Sequence, residues 1–187
     1  ENEFGVKVPL MTLMSAGSLS EMAILIETTS SRSMPISVYR PTRGFVPATP
    51  PQQQMWLLEQ MSDADAYNIP FRLSFDHRLD LKCLTKAMKT VLDWHASLRT
   101  HFEFRNDLVT QVISDNPEIK VSILEQGEDF EKQFVEEKFD TGKPCLWRLG
   151  LKNRDDGSDL VVVLHHLIAD AWSVEIFVRS LITAYQQ

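Results

Sequence analysis

The chain has 187 residues, 43% of them apolar, which is the composition of a globular protein with one core of ordinary size. Its 19 basic and 26 acidic residues leave a net charge of −7, which argues against nucleic-acid binding and against a polybasic membrane anchor. No apolar run approaches the ~20 residues of a membrane span, and Cys83 and Cys145 lack CxxC spacing, which favours reduced thiols and a cytoplasmic location.

The first 45 residues differ from the rest of the chain. Residues 1–28 hold an apolar stretch at 6–13 and then a helix with a capping box at Ser18 and Glu21, too little to bury a core alone. Residues 29–45 are rich in Ser, Thr, Arg and Pro without a sustained period, which is typical of a linker. The main domain is therefore predicted to cover residues 46–187.

The main domain is predicted to mix helices with hairpin-joined strands. A helix is predicted to begin at Pro50, with Thr49 as its N-cap and with Met55, Leu58 and Met61 as its apolar stripe. Asn106-Asp107 predicts a tight hairpin between two strands. The other predicted elements are strands at 69–75, 119–123, 146–152 and 160–166 and helices at 81–92, 128–139 and 174–185, the first of which continues through or ends within residues 94–98. This pattern indicates an α/β or α+β fold with a mixed sheet flanked by helices.

The stretch LVVVLHHLIADAW at residues 160–172 organises the chain. Its Val-rich apolar run is typical of a strand buried on both faces, and it ends in His165 and His166. Because neighbours on a strand point to opposite faces, one histidine is expected to pack inside while the other faces a channel. For the pair, catalysis and core packing remain open at even odds.

Asp170 has two structural interpretations. It is placed to cap the helix that follows, or to pair with a buried arginine, for which Arg99 is a better candidate than Arg148. A metal site built from the two histidines and Asp170 is disfavoured, because adjacent histidines diverge on a strand and no further His or Cys lies close in sequence. A serine hydrolase is disfavoured because the chain lacks a GxSxG elbow.

Several segments resemble the condensation domains of nonribosomal peptide synthetases. HHLIADAWS at residues 165–173 resembles their HHxxxDG motif, and HASLRTHF at 95–102 resembles their RHExLRTxF segment. PATPPQQQMWL at 47–57, YNIP at 67–70 and residues 139–148 resemble the opening helix, the first strand and the stretch before the motif strand. The segments stand in the family's order and cover about residues 45–187.

The resemblance implies a fold and a domain order. The family has two lobes similar to chloramphenicol acetyltransferase, which form a V around a channel, and this chain is similar to the N-terminal lobe without the C-terminal one. Residues 1–28 resemble the end of an acyl or peptidyl carrier domain, without its Asp-Ser-Leu motif. The order of carrier end, linker and condensation lobe is similar to that of fungal polyketide synthases and polyketide–peptide hybrids.

The resemblance also implies acyl transfer from a carrier-bound thioester to an amine or hydroxyl on a second carrier. His166 would be the general base or the donor that positions the acceptor, with His165, Asp170 and Arg99 as supports. Substrates would arrive on phosphopantetheine arms, with no cofactor or metal bound directly. Ala171 replaces the motif glycine, which would cost on the order of 1 kcal/mol if a positive φ is needed there. The alternatives are a non-catalytic lobe that docks a carrier or partner enzyme, and a stand-alone acyltransferase of the wider HxxxD group.

Overall fold

The computed structural model of the chain describes residues 16–28, 44–61, 67–115, 117–124 and 128–187. The chain divides into two compact units, Glu1–Arg40 and Pro41–Gln187. In the first unit, helix α1 covers Leu19–Thr28, and the Ser18 hydroxyl oxygen accepts from the Glu21 backbone N–H at 3.2 Å. The predicted helix start is confirmed, whereas the predicted apolar stretch at 6–13 and most of the predicted linker lie outside the described residues.

The second unit interleaves helices and strands. Their order is β1 (Gly44–Pro47), α2 (Pro50–Gln60), β2 (Asn68–Phe75), α3 (Leu81–Trp94), a 3₁₀ turn (Ala96–Arg99), β3 (Thr100–Arg105), β4 (Leu108–Ile113), β5 (Val121–Ile123), α4 (Glu128–Glu136), β6 (Trp147–Asn153), β7 (Ser158–His165) and α5 (Ala171–Tyr185). The predicted linker therefore ends two residues inside β1. None of the helices in the described ranges is long and apolar enough to cross a membrane.

The described strands form two sheets. The larger has the order β2-β7-β6-β5 and is mixed, because β5 runs parallel to β6 while the other pairs are antiparallel. The smaller is antiparallel with the order β1-β4-β3. The mixed sheet was predicted, whereas the separate second sheet was not.

Strand β7 lies at the centre of the packing. All eight of its residues are buried, as expected for a strand covered on both faces. Leu160, Val162 and Leu164 belong to a first core with the apolar faces of α3 and α5. Val163 points the other way into a second core, together with Phe102 and other side chains of the second sheet and of α2. Each buried Val or Leu contributes about 1.5–3 kcal/mol, so both cores hold β7 in place.

Local patterns predicted some details correctly and others not. Asn106 and Asp107 have φ of 49° and 63°, and Arg105 pairs with Leu108, which confirms the tight hairpin. Helix α4 ends at Glu136 instead of 139, because the chain then delivers Phe139 into the second core.

The two cysteines are free thiols, as predicted. Burial, with a smaller contribution from Glu118, raises the pKa of the Cys145 thiol to about 11. Cys145 is therefore held in its unreactive thiol form at neutral pH.

Gly157 provides a test of how closely β2 approaches the turn before β7. A Cβ atom at this position would lie 2.0 Å from the Phe75 carbonyl oxygen, an overlap that forces the backbone to move. We expect Gly157→Ala to lower the free energy of unfolding by about 1–3 kcal/mol in a denaturant titration. Gly142→Ala is the matched control, because its Cβ would meet only the movable Asp140 carboxylate at 3.3 Å. An equal loss in both variants would contradict this account.

Candidate functional site

The turn that follows β7 carries the two histidines. Strand β7 ends at His165, and the Ile168 backbone N–H donates to the His165 carbonyl oxygen at 3.0 Å, which closes the turn. The His166 backbone N–H donates to the Tyr67 carbonyl oxygen at 2.9 Å, just before β2 begins. The backbone of His166 is therefore fixed at the end of the mixed sheet.

The two imidazoles diverge as the strand geometry predicts. His165 is fully buried, at 0% exposure. His166 is exposed, and its ring has no hydrogen-bond partner among the described residues. His166 is thus free to act on another molecule, whereas His165 is committed to the interior.

The buried His165 has both ring nitrogens engaged. Its Nδ1 accepts from the Leu167 backbone N–H at 3.1 Å. Its Nε2 lies 3.0 Å from Oε1 of Glu59, a residue only 3% exposed. Because an accepting Nδ1 carries no proton, the hydrogen-bond pattern assigns the proton to Nε2, which donates to Glu59.

Glu59 is a site residue that the sequence did not predict. The predicted stripe of α2 included Leu58 and Met61, but these are 48% and 81% exposed, so that part of the prediction is wrong. The inward face instead holds Met55, Trp56 and Glu59. The signal in the sequence is a glutamate four residues after Met55, in the phase of an apolar helix face.

Asp170 caps helix α5. Its Oδ1 accepts from the Ser173 hydroxyl at 2.7 Å and from the Ser173 backbone N–H at 2.8 Å. The hydroxyl first, and then the backbone N–H, lower the pKa of the Asp170 carboxyl, with a smaller electrostatic contribution from His166. Of the two interpretations from the sequence, capping is the one that the geometry shows.

The alternative that the sequence left open, an ion pair between Asp170 and Arg99, does not form. The Arg99 guanidinium is buried and donates to two backbone carbonyls, those of Leu92 at 2.9 Å and Ser114 at 2.7 Å. Arg99 therefore ties α3 to the end of β4. The weaker candidate, Arg148, pairs with Glu137 instead, at 3.1 Å.

Ala171 fits its position without backbone strain. It is the first residue of α5, and positive φ values at described non-glycine residues occur only at Asn106, Asp107 and Cys145. Position 171 does not have a positive φ, so alanine in place of the motif glycine carries no conformational cost there.

Within the described ranges, no group of three or more His, Cys, Asp and Glu side chains lies close enough together to hold a metal ion. The two motif histidines point apart, as described above.

The cap at Asp170 predicts a pH-dependent contribution to stability. Because its pKa is lowered in the folded state, the cap stabilises fully above the unfolded value of about 3.9 and is lost as the pH falls through the folded value. We expect Asp170→Ala to lower the thermal midpoint at neutral pH, with a difference from wild type that narrows below about pH 4. Asp170→Asn is the control, since asparagine also caps and should stay close to wild type at neutral pH. A difference that does not change with pH would argue against the carboxylate cap.

A sequence model of the condensation domain family matches residues 42–187. Tyrocidine synthase 2 of Brevibacillus parabrevis is 30% identical over an alignment of 190 positions, which covers 98% of this chain and 5% of that synthase. The X-domain from teicoplanin biosynthesis, solved in complex with OxyB, is 30% identical with a TM-score of 0.69. The match covers 80% of this chain and 34% of the X-domain chain.

The starter condensation domain of the rhizomide synthetase RzmA has a TM-score of 0.70, and the match covers 76% of this chain and 39% of the RzmA chain. Because the two sequences are only 17% identical, this likeness supports the fold alone. These likenesses confirm the expected lobe fold with a mixed sheet flanked by helices. The chain spans a small part of the synthetases and about a third of the solved domain chains that it matches. By the family match and these likenesses, it belongs to the condensation domains of nonribosomal peptide synthetases.

Proposed function

We propose that the chain is the N-terminal lobe of a condensation domain that transfers an acyl group, with His166 as its catalytic residue. The observation that carries this proposal is the contrast between a fixed backbone and a free side chain. The His166 backbone N–H donates to the Tyr67 carbonyl oxygen, while its imidazole is exposed and has no hydrogen-bond partner in the described part of the chain. A positioned imidazole of this kind suits general acid–base chemistry near neutral pH.

The proposed reaction joins an acceptor amine or hydroxyl to a thioester carbonyl. The acceptor attacks the carbonyl carbon while an unprotonated nitrogen of His166 takes its proton. The tetrahedral intermediate then collapses as the carbon–sulfur bond breaks, and the imidazolium returns the proton to the departing sulfur. The products are the amide or ester and a free thiol, so no oxidant, metal or nucleotide enters the balance. General base catalysis of this type contributes roughly 10²–10⁴-fold.

The partners of this reaction are also part of the proposal. Condensation domains of multidomain synthetases work with carrier domains, and the substrates would be held there on phosphopantetheine arms. Residues 1–28 would be the end of such a carrier, joined through residues 29–45. The teicoplanin X-domain chain is about three times longer than the matched region, so a second lobe would form the opposite wall of the channel. His165 and Asp170 would then act as structural supports.

His166→Ala in the parent synthetase tests the catalytic role. We expect a loss of roughly 10²–10⁴-fold in the single-turnover transfer of a radiolabelled acyl group from the upstream carrier to the downstream carrier. His77→Ala is the matched control, because His77 is an exposed histidine on the turn after β2, beside Asp76. Transfer at the wild-type rate in His166→Ala would overturn the catalytic role.

A second candidate function is a binding lobe that docks a carrier or a partner enzyme without turnover. It is supported by the 30% identity to the teicoplanin X-domain, whose structure was solved in complex with OxyB. The same His166→Ala experiment separates the two candidates. A binding lobe would leave the product unchanged when the imidazole is removed.

A further inference from the structure

The turn that carries His166 is held by side chains on both sides of one residue. The Leu167 backbone N–H donates to Nδ1 of the buried His165 at 3.1 Å. The Leu167 carbonyl oxygen accepts from Nε2 of Gln52 at 2.9 Å. Since Leu167 follows His166 directly, these two bonds fix the direction in which the His166 side chain leaves the backbone.

Both holding groups depend on helix α2. Gln52 is near its start, and Glu59, which contacts His165, lies seven residues later on the same face. Seven residues are two helical turns, about 10 Å along the axis. Helix α2 therefore braces the turn at two points, directly through Gln52 and indirectly through Glu59 and His165.

The indirect support through Glu59 and His165 depends on which ring nitrogen of His165 carries the proton. Nδ1 of His165 accepts from Leu167 only when the ring proton is on Nε2. A buried Nε2–H needs an acceptor, and Oε1 of Glu59 at 3.0 Å is the one that it has. Without Glu59, a proton on Nε2 would be left unpaired inside the second core. An Nδ1–H would oppose the Leu167 N–H donor to donor, so the proton would stay on Nε2, and the ring would instead rotate toward another acceptor or water, which would break the bond to Leu167.

Packing alone does not explain a glutamate at this position. Glu59 is 3% exposed on the apolar side of α2, beside Met55 and Trp56. Its second oxygen, Oε2, is buried without a hydrogen-bond partner among the described residues. An apolar side chain of similar size is generally as good or better for stability in such a place. A polar residue that breaks the local packing rule points to a role in the site.

We propose that Glu59 is a positioning residue for His166: by accepting a hydrogen bond from Nε2 of His165, it holds the ring in the orientation in which Nδ1 accepts from Leu167, and so fixes the turn from which the His166 imidazole reaches the substrate. This inference rests on the proposed function, because positioning matters only if His166 acts in catalysis. Glu59 itself does not touch the substrate and transfers no proton in the reaction.

The first test reads the tautomer directly. In ¹⁵N spectra of the histidine-labelled chain, His165 should show a protonated Nε2 and an unprotonated Nδ1. Glu59→Gln retains an acceptor oxygen and should keep this pattern, whereas in Glu59→Leu the Nδ1 resonance should lose the shift that the hydrogen bond from Leu167 causes. Wild-type protein with the His165 proton on Nδ1 would overturn the inference, and this measurement does not depend on any variant that fails to fold.

The second test reads catalysis in the parent synthetase. We expect Glu59→Leu to lower kcat by about 10–100-fold with little change in KM, and Glu59→Gln to stay within a few-fold of wild type. Asp93→Leu, at an exposed position near the end of α3, is the matched control for removing a carboxylate. If His166→Ala abolishes transfer while Glu59→Leu keeps both kcat and the hydrogen bond at Nδ1 of His165, positioning by Glu59 is wrong. If His166→Ala has no effect, the proposed function fails, and the tautomer result still tests the Glu59–His165 contact.

Discussion

The burial of β7 on both faces is the constraint on which the rest of the structure depends. A strand covered on both sides has no exposed position, so a polar side chain reaches solvent only where the strand ends. The chain ends β7 at His165 and places His166 one residue beyond it. The exposed imidazole thus follows directly from the position of the strand end, which the pairing with β2 and the turn at Ile168 determine.

The same constraint explains the polar residues of the second core. A buried imidazole needs a partner for each ring nitrogen, since an unpaired polar group in the interior is costly. His165 finds one partner in the Leu167 backbone and the other in Glu59, so the strand end and α2 are coupled through one side chain. The smaller sheet joins this arrangement through a hydrogen bond from the Ala48 backbone N–H to the Val109 carbonyl oxygen, immediately before α2.

Local patterns predicted the elements better than they predicted the contacts between them. Strand β7, helix α3 and the hairpin at Asn106-Asp107 follow from periodicity and turn chemistry, which short windows of sequence contain. The inward face of α2 was misplaced because a glutamate fills an apolar phase, and only the tertiary partner His165 explains it. The partners of Arg99 could not be predicted either, because every residue has a backbone carbonyl and the sequence does not show which of them a guanidinium will contact. The second sheet requires pairing between β1 and β4, whose separation along the chain no local window covers.

Exposed apolar side chains beside the motif connect the site to the proposed function. Trp172 and Ile176 are 74% and 45% exposed, and they lie four residues apart on α5, just after the Asp170 cap. Large exposed apolar groups on one face commonly mark a surface that meets another molecule or domain. Under the proposed function, a second lobe and the carrier-bound substrates would cover this face and remove water from around His166. Hydrogen bonds and charges act more strongly in such a water-poor space, so a pre-positioned imidazole would gain most when the channel is complete. An imidazole that had to reorient after the channel was completed would lose part of this stronger interaction. Catalysis by His166 would therefore require both a fixed turn and a side chain that is free to contact the substrate.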